Sequence, residues 1–230
     1  PADGYARIKQ VGAFVTTYAV GELSAINGVA GSFAEHVPVV VITGAPATTY
    51  FRTRPLLHHT LGDYSIPLKM FSHITVASTV LLDGQNLTVP EEIDRVLSAC
   101  LLHQQPVYIC LPSDVVQMKC AAPKPFVKPV AEASVKETLE EALQEAVDML
   151  NAAKNPVVIG DVEIVRYNLQ KEFAALIEGS GFPYATMMLG KCILDESDPH
   201  FIGLYQGDRS REYVRERIEK ADCVLQLGML

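Results

Sequence analysis

The sequence predicts an α/β protein built on doubly wound parallel sheets, and three observations support this fold class. Short apolar, β-branched runs alternate with longer amphipathic runs along most of the 230 residues. Residues 12–46 hold a strand-like run, a helix-like run and a second strand-like run, which is about the length that a parallel crossover unit needs. The same alternation resumes after a proline-rich stretch, so we expect two α/β domains in succession.

The crossover unit is the clearest part of this pattern. Its first strand is expected at residues 12–17, as a strand buried on both faces, and its second strand at residues 37–43. Between them, residues 21–35 form an expected helix whose many small side chains keep its surface thin. Ligands of such folds bind beyond the carboxyl ends of the strands, here at residues 18–22. The glycines lack the GxGxxG spacing of dinucleotide sites, and tight helix packing explains the small residues equally well.

The remaining elements follow in order along the chain. Thr88, Pro90 and Glu91 predict the capped start of a helix that ends near residue 103. Ser134 and Glu137 predict a second capped helix with one apolar side. The other expected elements are a helix end at 2–7, a loop at 47–54, helices at 64–71, 169–177 and 212–220, and strands at 74–77, 106–111, 157–159, 184–186 and 224–227.

Composition limits the classes of function. The net charge of −8 argues against nucleic acid and anionic membranes as partners. No apolar run is long enough to span a bilayer. The five cysteines lack the spacing of a zinc site, so we expect no metal ligands among them and reduced thiols in a cytoplasmic protein. Prolines, lysines and alanines without period make residues 120–134 a linker between a first domain, 1–119, and a second, 135–230.

His58 and His59 are the only adjacent histidines in the chain. An imidazole titrates near neutral pH and suits proton transfer, although a histidine near a loop is more often just a satisfied polar residue. Neighbouring side chains of an extended segment diverge and nothing at ligand spacing completes a shell, which argues against a metal site. Asp63 is either a partner that positions a histidine or a solvated loop carboxylate.

Three separated motifs carry a resemblance to a known family. They are ADGYARI at residues 2–8, TTYAVGELSAINGVAGSFAEHVPV at 16–39 and LLHHTLGD at 56–63. In this order they resemble the thiamine-diphosphate-dependent 2-oxo acid decarboxylases, the family of pyruvate and indolepyruvate decarboxylases. The likeness continues through PVYICLPSDV, KNPVVIGD and ATMMLGKCILDE to the last residue.

The resemblance implies that residues 1–119 are a pyrimidine-binding domain without its start and that residues 135–230 are a truncated middle domain. It implies non-oxidative decarboxylation of a small 2-oxo acid to an aldehyde and carbon dioxide, with thiamine diphosphate and Mg²⁺ as cofactors. His58 and His59 are the implied catalytic residues. The family's pyrimidine-binding loop maps onto the cofactor-binding candidates Thr17, Val20, Gly21 and Glu22, while Ala19 stands where glycine is usual.

The resemblance also implies that essential parts lie elsewhere. In this family the activating glutamate lies before the position of Pro1, and the diphosphate and magnesium motif lies beyond Leu230. We therefore expect an internal piece of a longer chain, inactive alone, whose full-length form is a homodimer or homotetramer with the helix at 21–35 near a subunit contact. Two alternatives stay open, namely a related carboligase such as acetolactate synthase and a non-catalytic α/β binding or assembly module. The adjacent histidines favour decarboxylation over carboligation.

Overall fold

Two parallel sheets organise the protein. The computed structural model describes residues 1–82 and 88–230, and these residues form two four-stranded sheets in which every strand pair is parallel. One sheet lies in each of two compact units, Pro1–Ala131 and Glu132–Leu230. The α/β class with two parallel-sheet domains is therefore confirmed.

The first unit surrounds a sheet with strand order β1-β2-β4-β3. Its elements are α1 (Ala2–Lys9), β1 (Gly12–Thr16), α2 (Val20–Ala34), β2 (Val39–Ala45), α3 (Thr48–Thr53), α4 (Ile66–Phe71), β3 (Ala77–Val80), α5 (Val89–His103) and β4 (Val107–Pro112). Alternate residues of β2 point to opposite cores, because Val39 and Val41 pack with α2 and α4 while Val40 packs with α5. Helices thus cover both faces of the sheet.

The second unit repeats this plan with strand order β7-β6-β5-β8. Its elements are α6 (Lys136–Ala152), β5 (Pro156–Gly160), α7 (Glu163–Arg166), α8 (Gln170–Ser180), β6 (Tyr184–Thr186), β7 (Phe201–Leu204), α9 (Glu212–Glu219) and β8 (Cys223–Leu227). Phe173 and Ile177 of α8 pack on one face, and Val214 and Ile218 of α9 on the other. The segment at 119–135, described throughout, forms neither helix nor strand and contains the boundary between the units.

Several expectations need correction. The first strand is not buried on both faces: β1 lies at the edge of the described sheet, where it pairs with β2, and Val15 is 73% exposed. Residues 47–54 are not a loop but hold α3. The Thr48 amide donates to both carboxylate oxygens of Asp114 at 3.0 Å, which caps α3 from 66 positions away. The expected strand at 74–77 lies further on, as β3.

The two predicted capping boxes had different outcomes. The box at Thr88 and Glu91 is confirmed, with the Thr88 amide donating to Glu91 Oε2 at 3.0 Å and the Glu91 amide to Thr88 Oγ1 at 3.4 Å. The box at Ser134 is wrong, because α6 begins at Lys136 and Val135, at its N-cap, offers no side-chain oxygen. The sequence also missed α7 and β7, which are only four residues long each.

Candidate functional site

The candidate site begins where β1 leads into α2, at residues 17–22, here called the β1–α2 loop. Thr17 and Val20 are exposed, whereas Tyr18, Ala19 and Glu22 are buried. The cofactor-binding candidates from the sequence therefore differ in position, because some lie on the surface of the loop and one is buried beneath it. Thr17 and Val20 offer a hydroxyl and methyl groups to a ligand, and Glu22 lies below them in the core.

Gly21 lets the loop fold tightly over the end of β1. A β-carbon at this position would lie 3.1 Å from both Thr16 Cβ and Thr17 Cγ2, closer than most β-carbon contacts. Any larger residue at position 21 would therefore push the loop away from the strand. This close approach keeps the loop's backbone near the carboxyl end of the sheet.

Ala19 has a backbone conformation that alanine rarely adopts, with φ 51° and ψ −77°. Such geometry costs roughly 1–3 kcal/mol for a residue with a β-carbon. Ala19, which stands where the family usually has glycine, is completely buried in a cluster with Tyr18 and Tyr64.

Glu22 is a carboxylate without solvent exposure. Its Oε1 accepts a hydrogen bond from the Ala19 amide at 2.7 Å, and its Oε2 accepts one from the Tyr108 hydroxyl at 2.6 Å. Burial raises the pKa of Glu22, and these bonds together with one from Thr43 oppose that rise. Glu22 therefore shapes the loop from below.

His58 and His59 lie in a second segment, a turn at residues 57–60, here called the histidine turn. Their Nδ1 atoms are 3.3 Å apart and their rings meet edge to face. The expectation that these side chains diverge is wrong, because the segment is not extended: His59 has φ 57° and the Thr60 amide donates to the Leu57 carbonyl oxygen. The two imidazoles form one contacting pair, and both are exposed.

Aromatic residues fasten the histidine turn to the β1–α2 loop. The Tyr18 ring stacks on Tyr64, with centroids 5.4 Å apart, and Leu57 packs against this pair. The Tyr18 hydroxyl hydrogen-bonds the Thr60 side chain. The Tyr64 hydroxyl donates to the Pro55 carbonyl oxygen at 2.6 Å. The structure thereby brings together the two segments that the sequence singled out separately.

Asp63 serves the fold next to the histidine turn. Its Oδ1 accepts hydrogen bonds from the Ser65 amide and hydroxyl at 2.8 and 2.7 Å, and Arg54 and Lys69 lie near its Oδ2. The bonds from Ser65 lower the pKa of Asp63 to about 2. These contacts favour a structural carboxylate over a partner for the histidines.

The residues present fit one part of the implied cofactor. Thr17, Val20 and the closely packed backbone at Gly21 offer a small polar and apolar surface that suits the edge of a flat ring. The described residues do not fit a metal-bound diphosphate. Among residues 1–82 and 88–230, no group of three or more His, Cys, Asp or Glu side chains could hold a metal ion. Among the described residues, the β1–α2 loop is therefore the surface that suits a flat ring.

Comparison with known proteins decides the family. The family model for the N-terminal TPP binding domain of thiamine pyrophosphate enzymes matches residues 1–65, and the model for their central domain matches residues 143–230. Curated relatives include pyruvate decarboxylases of Candida glabrata, 40% identical, and Candida albicans, 39% identical. Pyruvate decarboxylase isozyme 3 of Saccharomyces cerevisiae is 38% identical. The chain belongs to the thiamine pyrophosphate enzymes.

These relatives are longer than the chain. Each alignment covers 100% of this chain and 41% of the relative, so the chain spans about two fifths of their length. Within this length it matches the N-terminal TPP binding domain and the central domain of the thiamine pyrophosphate enzymes. The family resemblance drawn from the three sequence motifs is confirmed. None of the described helices has the length and apolar character that a membrane crossing requires.

Sequence reasoning missed the residues that hold the candidate site together. Thr43, Tyr64 and Tyr108 contact the two segments from outside them, and Thr60 of the histidine turn hydrogen-bonds Tyr18 of the β1–α2 loop. One signal was available, since Tyr108 lies within an apolar strand and a buried tyrosine hydroxyl needs a partner. That signal does not identify the partner.

Proposed function

We propose that this chain is part of a longer thiamine-diphosphate-dependent 2-oxo acid decarboxylase, a carbon–carbon lyase that forms an aldehyde and carbon dioxide. The observation that carries the proposal is the attachment of the histidine turn to the β1–α2 loop through Tyr18, which hydrogen-bonds Thr60 and stacks on Tyr64. A proton-transfer pair and a ring-binding surface are thus neighbours. Three pyruvate decarboxylases aligned along the whole chain support the same activity.

The reaction sets clear requirements for the protein. A 2-oxo acid anion and one proton give an aldehyde and carbon dioxide, so a proton must reach the carbon that loses the carboxylate. Thiamine diphosphate, when bound, supplies the electron sink that carbon dioxide loss requires. Thr17, Val20 and Gly21 bind its pyrimidine ring in this proposal, and Glu22 fixes the loop that carries them.

His58 and His59 supply the protons and stabilise developing charge. Their Nδ1 atoms are 3.3 Å apart, within hydrogen-bonding distance of each other. This contact leaves each Nε2 atom for exchange with a reacting oxygen or carbon. Two contacting imidazoles suit a step that needs a donor and then an acceptor.

The proposed assembly follows the family. Mg²⁺ is held by residues outside this chain, and the full-length protein is a cytoplasmic homodimer or homotetramer with α2 near a subunit contact. Gly28 and Gly31 of α2 leave open space where a β-carbon would be, which suits the close approach of a second subunit. Five free thiols are typical of a reducing compartment.

The test uses the full-length polypeptide with thiamine diphosphate and Mg²⁺. His58→Phe and His59→Phe should each lower aldehyde formation from 2-oxo acids at least about hundredfold, the usual size of a general acid–base contribution. Cofactor affinity should stay within a few-fold. His103→Phe, at an exposed histidine that ends α5, is the matched control and should leave turnover unchanged.

The products separate the alternatives. Aldehyde release that falls in both histidine variants supports the decarboxylase. A carbon–carbon coupled product in place of aldehyde would favour a carboligase, and unchanged turnover in both variants would remove the histidines from the mechanism. A full-length protein that binds no cofactor would favour a binding or assembly module.

A further inference from the structure

A chain of buried polar contacts lies beneath the β1–α2 loop and joins it to three strands. Tyr108 of β4 donates its hydroxyl hydrogen to Glu22 Oε2 at 2.6 Å, and Glu22 Oε1 accepts from the Ala19 amide at 2.7 Å. Thr43 of β2 hydrogen-bonds the same carboxylate, and its Oγ1 lies 2.9 Å from Thr16 Oγ1 of β1. Ala19, Glu22 and Thr43 have no solvent exposure, and Tyr108 is 1% exposed.

This arrangement is costly for stability alone. A carboxylate loses its hydration when it is buried, and well-packed apolar residues in the same space are often as stabilising or more so. What Glu22 supplies here is a hydrogen-bond acceptor for one particular amide, that of Ala19. Ala19 is also the residue of the loop with the strained backbone, at φ 51° and ψ −77°. The strain of such a residue and the cost of leaving a buried hydrogen-bonding group unsatisfied are of similar size.

Tyr108 is held in place by its own packing. Its ring stacks on Phe71 of α4, with centroids 4.6 Å apart and planes 26° from parallel. The hydroxyl lies among buried groups, so water does not compete for Glu22. Without this hydroxyl, Glu22 Oε2 loses a hydrogen bond of 2.6 Å in a buried site, and the carboxylate is held less firmly against the Ala19 amide.

We infer that Tyr108 is a positioning residue for the cofactor-binding loop: through Glu22 it keeps Ala19 in the left-handed turn that sets the backbone between Thr17 and Gly21. Tyr108 lies in β4, 86 positions from Glu22, and touches the loop surface at none of its exposed residues. Its effect on a ligand is therefore indirect. This inference rests on the proposed function, since the ligand of the loop is thiamine diphosphate.

The experiment measures thiamine diphosphate binding to the full-length polypeptide by isothermal titration calorimetry in the presence of Mg²⁺. Tyr108→Phe removes one hydroxyl and should raise the dissociation constant roughly tenfold to hundredfold, as expected when one buried acceptor is left unsatisfied. The control is Tyr184→Phe in β6, which changes an equally buried tyrosine whose hydroxyl makes only a long hydrogen bond, 3.5 Å to the Asp195 carbonyl oxygen. Tyr184→Phe should change the constant less than twofold.

A conservative variant separates positioning from charge. Glu22→Gln keeps both contacts, since the amide oxygen accepts from the Ala19 amide and the amide nitrogen donates to the Tyr108 oxygen. It should retain the dissociation constant within about threefold. If Tyr108→Phe fails to fold, Thr43→Val removes another donor to the same carboxylate at nearly constant volume and should raise the constant severalfold.

Each outcome has one meaning. Equal binding by Tyr108→Phe and Tyr184→Phe, or unchanged binding by the variant used in place of Tyr108→Phe, overturns the inference. A loss in Glu22→Gln as large as that in Tyr108→Phe also overturns it, because Glu22 then acts through its charge. Absence of binding by the unaltered polypeptide overturns the proposed function itself, and this measurement comes before any variant.

Discussion

Two glycine-to-alanine substitutions in the first unit should have opposite effects on stability. At Gly12, which begins β1, an added β-carbon would lie 2.1 Å from the Ala2 carbonyl oxygen and 2.9 Å from its carbon. Both atoms belong to the backbone of α1, so roughly 1 Å of displacement is needed, at an overpacking cost of about 1–3 kcal/mol or more. At Gly28, inside α2, an added β-carbon meets nothing within 4 Å.

Gly28→Ala should therefore raise the free energy of unfolding by about 1 kcal/mol, the difference in helix propensity between the two residues. The unfolded chain loses the same conformational freedom in both variants, so the folded state alone separates them by the overpacking cost at Gly12, about 1–3 kcal/mol or more. Urea denaturation followed by circular dichroism at 222 nm measures the difference at low protein concentration. Equal shifts, or a stabilising Gly12→Ala, would refute the close packing of α1 on β1. If α2 also lies at a subunit contact, Gly28→Ala should weaken self-association while it stabilises the dilute chain.

Three further predictions concern caps, pH and thiols. Thr88→Ala should lower the free energy of unfolding by about 1 kcal/mol and Ser134→Ala by close to zero in urea denaturation, since Thr88 alone caps a helix; equal losses would contradict the structure. Because burial raises the pKa of Glu22, the folded state binds its proton more tightly, so the contribution of Glu22 to stability is greatest below about pH 4.5 and falls as pH rises through the raised pKa. Glu22→Gln should remove that slope between pH 4.5 and 8, and an unchanged slope would assign it to other groups. Iodoacetamide at pH 8 should label the exposed Cys120 and spare Cys100, whose pKa burial raises to about 12; mass spectrometry of the labelled peptides checks this.

Local sequence patterns predicted a helix or strand correctly where the residues of that element determine it. The capping box at Thr88, the apolar period that follows it and the β-branched run of β4 all led to elements that the structure contains. Patterns failed where a distant residue decides the outcome. The cap of α3 comes from Asp114, 66 positions away, and no local spacing shows it. The exposure of β1 likewise depends on its place at the edge of the described sheet and not on its composition.

Helix α6 shows a different limit of sequence reasoning. Its apolar residues share one side, as the sequence predicts, yet Leu139, Leu143 and Val147 are 45%, 55% and 47% exposed. An amphipathic period states which side of a helix is apolar, and burial requires a second surface that the period does not specify. The apolar period was therefore sufficient to predict the helix, but it did not predict how much of the apolar side is buried.

The candidate site likewise has parts that local sequence patterns predict and contacts that they do not. The β1–α2 loop and the histidine turn each have a recognisable motif, but their attachment depends on Tyr18, Thr60 and Tyr64, which no motif pairs. The histidines themselves were expected to diverge because that rule assumes an extended backbone, and a left-handed His59 reverses it. The Nδ1 atoms of His58 and His59 lie 3.3 Å apart as a result. In the proposed reaction they form one proton-transfer unit, whose existence depends on a backbone angle that no spacing of residues encodes.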